Sequence, residues 1–525
     1  MKKNIFFINI NEKILILFLI IFSLLINQYY GNQGIFPPDS FAHFDSGYRV
    51  LNGEYPFKDF WLVSGPFGDY LQAVLFYFFG VNWQTYVLHA SFINTILTIV
   101  TFAVLRSFKL NIYYSFVYSI LFSILAYPSS GTPFVDHSSA LFSLLGIYFL
   151  ILAIKNEKKI YWILFPIFLG LSFLSKLVPA SYVIISTLFV LIYFSVVKKK
   201  YYWIQYSFLS SIIFIFSLLI IGYFQGISLA SFFEQYIFFP QTIGEQRFNN
   251  FNFTFNGVIA HYKFIYIFLI PLFYINLKRL LSKSDYYKEK DFFYFLCLVL
   301  ISFSLIFHQL LTRNQTFIFF LVPVLAGFCH INLNIQKSNF TNIFCVITLA
   351  ICIFASAKYH IRFNEERKFH ELNQVNIKLS SDSNKIDKKL SGLKWITPHF
   401  IGDSSEEIFL INEVLSYLKN DSRNKMVMTH YLFFSAILKQ NIFSPSRWIL
   451  EDGTTHPLKG NKYFSSYKNF YLNIIRKNNI EVIYIVEPVS TLNVYDYISK
   501  NCYNEKKVTK ILYKYEIKEC GEIKN

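Results

Sequence analysis

Residues 37–80 run PPDSFAHFDSGYRVLNGEYPFKDFWLVSGPFGDYLQAVLFYFFG, a polar, acid-bearing segment between apolar runs that resemble membrane spans. Acidic side chains kept at a membrane surface are costly and usually have a task there. Asp39, Asp45 and Asp59 share the segment with Pro, Gly and aromatic residues that restrict its backbone, which is more than a connecting loop needs.

Working outward, composition sets the class. The 525 residues are 54% hydrophobic and 20% aromatic, with 62 Phe, which is too apolar for a soluble protein of this length and indicates many membrane spans. The net charge of +17 follows the loops between apolar runs, as in a polytopic membrane protein; a nucleic-acid binder would gather it on one soluble face, so no nucleic-acid partner is expected.

The first apolar run, residues 14–26, follows Lys2, Lys3 and Lys13 but lacks a small-residue cleavage site. It continues into Asn27-Gln28-Tyr29-Tyr30, an aromatic belt, and is expected to be an uncleaved span with its N-terminus inside. Further spans are expected near 84–105, 111–128, 137–154, 160–175, 178–196, 203–221, 264–277, 292–308, 317–332 and 341–357, about eleven in all for a bilayer of ~30 Å. Loops assigned inside carry roughly 17 basic residues against roughly 6 outside, enough to fix orientation. Residues 1–357 form the membrane part, with an outer loop at 28–83 and the C-terminal residues 358–525 outside.

Those C-terminal residues change character. Asp403-Ser404-Ser405-Glu406-Glu407 begins a helix, 426–428 and 480–486 have the pattern of strands, and 463–477 that of a helix, suggesting a small exterior α/β domain. Cys297, Cys329, Cys345 and Cys352 fall in or beside spans as small apolar residues. Cys502 and Cys520 flank a strand-like stretch and could pair in an oxidising exterior. No CxxC, HExxH, GxGxxG or P-loop pattern occurs.

Over roughly residues 10–330 the chain resembles the GT-C fold polyprenyl-phosphate-sugar glycosyltransferases, which include protein O-mannosyltransferases and the aminoarabinose transferase of lipid A. In the first outer loop the matching positions are Asp39, Gly53, Gly65-Pro66 and Phe79-Gly80; Ser40 stands for the family's Glu, and Ser64 or the displaced Lys58 for its loop Lys. Further positions similar to the family are Asp136 in FVDHSS, Leu174-Ser175-Lys176, Arg247-Phe248 and Arg313 in TRNQTFIFFLVPVLAG, all at span ends expected outside. The resemblance implies an α-helical multi-span membrane protein of GT-C type that transfers a sugar from a polyprenyl-phosphate donor to a lipid, glycan or protein acceptor, with inversion.

Such a transfer needs a carboxylate to activate the acceptor and cations for the departing phosphate. Asp39, Asp45 and Asp136 are the candidates for the first task, and Lys176, Arg247 and Arg313 for the second. His137, Lys58 and Tyr48 are candidate substrate contacts, and Tyr55 and Trp61 could stack on a sugar. The residues point to no particular cofactor; a divalent metal is compatible with the acids, but no ligand spacing demands one.

Each residue also has a structural reading. Asp39 could cap a helix, Asp45 could pair with Arg49 four residues on, Asp59 could serve a turn and Asp69 a cap. His43, His89, His261 and His308 suit packing, Lys176 could snorkel, and Arg247 and Arg313 could be interfacial anchors. A polysaccharide polymerase or ligase would place its Arg/His chemistry in a large late loop, here 222–262, and a lipid-linked sugar flippase or transporter would show paired repeats with charges at mid-membrane. The orientation is checked by reporter fusions: those after residue 200 or 285 should report cytoplasm and those after 60, 245 or 400 the exterior, and a cytoplasmic C-terminus would overturn the span count.

Overall fold

A computed structural model describes residues 10–249, 251, 254–312, 318–336, 341–440 and 442–523. Among them, nine helices are long and apolar enough to cross a membrane: Asn11–Gly31, Trp83–Ser107, Ile112–Ser129, Val135–Asn156, Leu177–Lys198, Trp203–Gln225, Lys263–Ser282, Lys290–Thr312 and Thr341–His370. Two shorter apolar helices, Lys159–Ser175 and Leu321–Ile335, lie at the other two expected positions. The chain is a multi-pass helical membrane protein. Helices dominate because a lipid-facing segment must satisfy its backbone polar groups internally.

Val135–Asn156 is enclosed on nearly every side, whereas Trp203–Gln225 turns Phe208, Ile213 and Phe216 outward. Without a hydrophobic drive between helices in lipid, small polar residues hold the bundle. Ser143 and Ser172 share a hydroxyl hydrogen bond of 2.8 Å, and the Ser172 hydroxyl donates to the Ser139 carbonyl at 2.7 Å. This locks Val135–Asn156 against Lys159–Ser175 as a hairpin, so residue 136 at the start of one helix and residue 176 at the end of the other share one end of the bundle. Elsewhere Asn27 Nδ2 donates to Ser91 Oγ at 3.0 Å and to the Gly131 carbonyl at 3.1 Å. Gly131 has φ +72°, and a Cβ there would lie 2.5 Å from the Gly31 Cα.

The first loop forms short helices, Pro37–Ser40, Ala42–Leu51 and Phe67–Phe79. The last of these turns Val74, Tyr77 and Phe78 outward and buries Gln72 and Leu75, the pattern of a helix lying on a membrane surface. Where the sequence suggested a loop at 222–262, the structure has Phe239–Asn249 as an α-helix and two π-helical turns, Phe233–Phe238 and Asn256–Ala260.

The C-terminal region is layered. Strands β1 (Ser381–Asp382) and β2 (Lys394–Trp395) pair antiparallel. Strands β3 (Lys425–Met428), β4 (Ile442–Phe443), β5 (Val482–Val486), β6 (Tyr503–Lys507) and β7 (Leu512–Ile517) form one sheet ordered β4-β3-β5-β7-β6, with β3 parallel to β4 and β5 and the other pairs antiparallel. Alternation along β5 explains its unbroken apolar run: Val482, Tyr484 and Val486 pack towards helix Ser404–Asn420, and Ile483 and Ile485 towards helix Phe464–Lys477. Asp403 caps the first of these helices, accepting from the Ser405 amide at 2.8 Å.

Cys502 and Cys520 are joined in a disulfide beside the β6–β7 hairpin, and the four other cysteines are free and buried. A thiol reagent should label neither Cys502 nor Cys520 in intact, unreduced protein, and Cys502→Ser should cost about 3 kcal/mol in stability. Labelling of both without reductant would remove the disulfide.

Candidate active site

Asp39 is placed by the chain around it. Phe36 is extended and Pro37-Pro38 open the helical turn, as proline's fixed φ favours at a helix start. The Phe36 amide donates to Ser40 Oγ at 3.0 Å and to His370 Nδ1 at 3.1 Å, and His370 Nε2 lies 2.9 Å from both the Ser130 carbonyl and Arg367 Nη2. Beside it the buried Arg367 donates to the carbonyls of Gln33 at 3.0 Å, Pro128 at 2.8 Å and Ser130 at 3.1 Å. One guanidinium thus ties the first loop to the turn before Val135 and to the end of the last long helix.

Within this frame Asp39 does not cap, since Phe36 holds the N-cap position. Among the described residues its carboxyl has no hydrogen-bond or ion-pair partner. Burial, followed by the negative charge of Asp136, pushes its pKa up to about 7 against the pull of Lys176.

Asp136 is the opposite case. Its two oxygens are taken, one by Lys176 Nζ at 2.6 Å and the other by His308 Nε2 at 2.9 Å. An acid in the first turn of a helix also gains from the helix dipole. Lys176 is an extended residue between two helices, and this break directs its side chain to Asp136. The break also lies against Gly65: the Gly65 amide donates to the Ser175 carbonyl at 3.0 Å, and a Cβ at Gly65 would fall 1.6 Å from the Leu174 oxygen. Arg247 lies near the C-terminal end of its helix, its charge felt at His308, and no described residue pairs with it. Arg313 lies outside the described residues.

The remaining candidates fall elsewhere. Asp45 pairs with Arg49 at 2.6 Å, and Arg49 also reaches Glu54 and the Ile442 carbonyl. His137 is buried against Ser129 and Ser130. Lys58 donates to the Gln225 carbonyl at 2.8 Å, and Tyr48 packs at the edge of an apolar cluster. Asp59 accepts from the Tyr55 amide and Lys477. Trp61 is enclosed by Phe239, Tyr467 and Phe470. Among the described residues no group of three or more His, Cys, Asp or Glu could hold a metal ion.

Two arrangements go beyond the sequence reading. His308, expected only to pack, is a partner of Asp136. Asp69, expected as a cap, is fully buried and accepts from His43 Nδ1 at 2.6 Å, Ser46 Oγ at 2.5 Å and Arg447 Nη1 at 3.0 Å. Arg447 comes from the C-terminal region, also donates to Ser64, and stacks over Trp448. Burial alone would raise the Asp69 carboxyl, but Arg447 and His43 outweigh it and hold its pKa below the usual carboxylate value.

No family model matches the chain, and no curated protein matches it. In structure it is similar to ArnT from Cupriavidus metallidurans in the apo state, with a TM-score of 0.45 and 10% identity over 96% of this chain and 98% of that one. It is also similar to the same protein bound to undecaprenyl phosphate, with a TM-score of 0.43 and 10% identity over 95% and 97%.

Two consequences of this geometry can be measured. Arg447→Ala strands the buried Asp69 charge and should cost about 3–5 kcal/mol in unfolding experiments, with Arg447→Lys recovering only part because it cannot span Asp69 and Ser64 together. Asp39 carries the reverse sign. A carboxyl whose folded pKa lies above its unfolded value weakens folding as it ionises, with the penalty absent below the unfolded pKa and complete above about 7. Asp39→Asn should therefore raise the thermal midpoint at pH 8 and lose that advantage near pH 4; an equal gain at both would rule out the raised pKa.

Proposed function

We propose that this chain is a membrane glycosyltransferase that moves a sugar from a polyprenyl-phosphate donor to an acceptor at the outer membrane face, with inversion. The observation that carries the reading is the contrast at one end of the helix bundle: an unpartnered carboxyl, Asp39, raised to about 7 within the field of Asp136 and Lys176. A group with these properties suits general base catalysis near neutral pH. The basic loops at the opposite ends of the spans support an outer position for this end.

In the proposed step Asp39 takes the proton from the acceptor as its nucleophile forms a bond to the anomeric carbon. The bond from that carbon to the phosphate oxygen breaks, and the electron pair leaves with the polyprenyl phosphate. Lys176 and Arg247 stabilise the departing charge, and Arg313 joins them on the strength of the family resemblance. Asp136, with both oxygens engaged, is a positioning residue that holds Lys176 and His308 rather than the base. An apolar groove of about 1530 Å³, lined by Pro66, Phe67, Leu174, Trp203 and Phe214 among others, reaches Leu174, two residues before Lys176, and suits a polyprenyl tail.

Transfer of radiolabelled sugar from a polyprenyl-phosphate donor in reconstituted membranes tests the reading. Asp39→Asn should lower turnover by about 10²-fold or more while donor binding persists, and the wild-type rate should climb with pH through about 7 as Asp39 ionises. Lys176→Ala should weaken donor binding as well as turnover. Asp45→Asn, compared per folded molecule, should be mild; full activity in Asp39→Asn would end the first-loop mechanism.

A further inference from the structure

We propose that the C-terminal region carries a second binding pocket, for a neutral saccharide, at the carboxyl ends of β3 and β5. In open sheets with parallel strands, ligands lodge in the crevice beyond the strand ends. Here the chain leaving β3 enters a cavity of about 540 Å³ at Tyr431, and the chain leaving β5 enters it at Glu487. That volume lies within the range of small-molecule sites.

The floor is Glu407, only 1% exposed, from the first turn of helix Ser404–Asn420. One of its oxygens accepts from Trp395 Nε1 at 2.8 Å and Thr397 Oγ1 at 3.0 Å, and the other from the Tyr431 hydroxyl at 2.9 Å. Three neutral donors fix this carboxylate, and burial raises its pKa. Glu451 and Glu487 also line the cavity, with Phe400 and Tyr513 as aromatic walls. Lys507 of β6 pairs with Glu487 at 3.3 Å, offsetting part of the negative charge.

Three carboxylates, Glu407, Glu451 and Glu487, make this lining negative, and His399, Ser490 and Thr491 add groups that can donate or accept. A suitable ligand brings hydroxyl donors for the carboxylates and a C–H face for the rings, and carries no negative charge. A neutral sugar has all three properties. Asp39 does not line this cavity, and the cavity's occupancy does not depend on the transferase reading.

The test is saturation-transfer NMR on the full chain in nanodiscs, with methyl glycosides of glucose, galactose, mannose and N-acetylglucosamine, and glucuronate as the anionic control. At least one neutral glycoside should bind, glucuronate should not, and Glu451→Gln with Glu487→Gln should weaken binding about tenfold at unchanged thermal stability. Tyr513→Ala, which removes a wall and also frees Lys507 from its hydroxyl and ring, should weaken it too. The proposal is overturned if no neutral glycoside binds, if the rim variants bind as the parent does, if trilysine binds in place of the sugars, or if the signal is lost in Lys176→Ala and kept in the rim variants.

Discussion

The ion pair between Asp136 and Lys176 is the constraint on which the membrane end of the molecule turns. Moving a carboxylate and an ammonium out of water costs several kcal/mol for each ion, and the pair is tolerable only with close geometry and further hydrogen bonds. Both conditions are met through the serine-bonded helical hairpin, which brings residues forty apart to 2.6 Å, and through His308, which takes the second oxygen. Gly65 belongs to the same arrangement, since a side chain there would force the first loop away from the break that frees Lys176. With Asp136 satisfied, Asp39 is left without a partner among the described residues, and burial with the field of Asp136 raises its pKa.

The loop carrying Asp39 is held from two sides. Arg367 and His370 fix its start against the turn at 127–131, and Arg447 fixes its far end through Asp69. Phe41 lies between them in an aromatic cluster with Trp83, Trp395 and Phe433. The C-terminal region is therefore part of the frame that sets the position of the candidate base.

The spans were legible because a lipid-facing helix must be apolar for its whole length, and β5 because a strand buried on both faces shows an unbroken apolar run. The Asp45–Arg49 pair was legible as well, since four residues on a helix fix the distance. The Asp136–His308 bond and the Asp69–Arg447 bond were not: each joins segments more than 170 residues apart, and only helix packing or docking of the C-terminal region brings them together. A faint signal for His308 existed in the polar pair His308-Gln309 near the end of an otherwise apolar helix. The sequence suggests a loop at 222–262, yet the structure has helical turns there, and Arg247 lies in the last turn of one of them.

On the proposed reading, the charges at this end are coupled. Lys176 favours the ionised form of Asp39, while Asp136 opposes it. A donor phosphate drawn to Lys176 and Arg247 would neutralise part of the field that keeps Asp39 ionised, so its affinity for a proton would rise once the donor is bound. A carboxylate with greater proton affinity is a stronger base towards an acceptor. Binding of the donor would thus sharpen the group that activates the second substrate, with Lys176 as the residue shared between them.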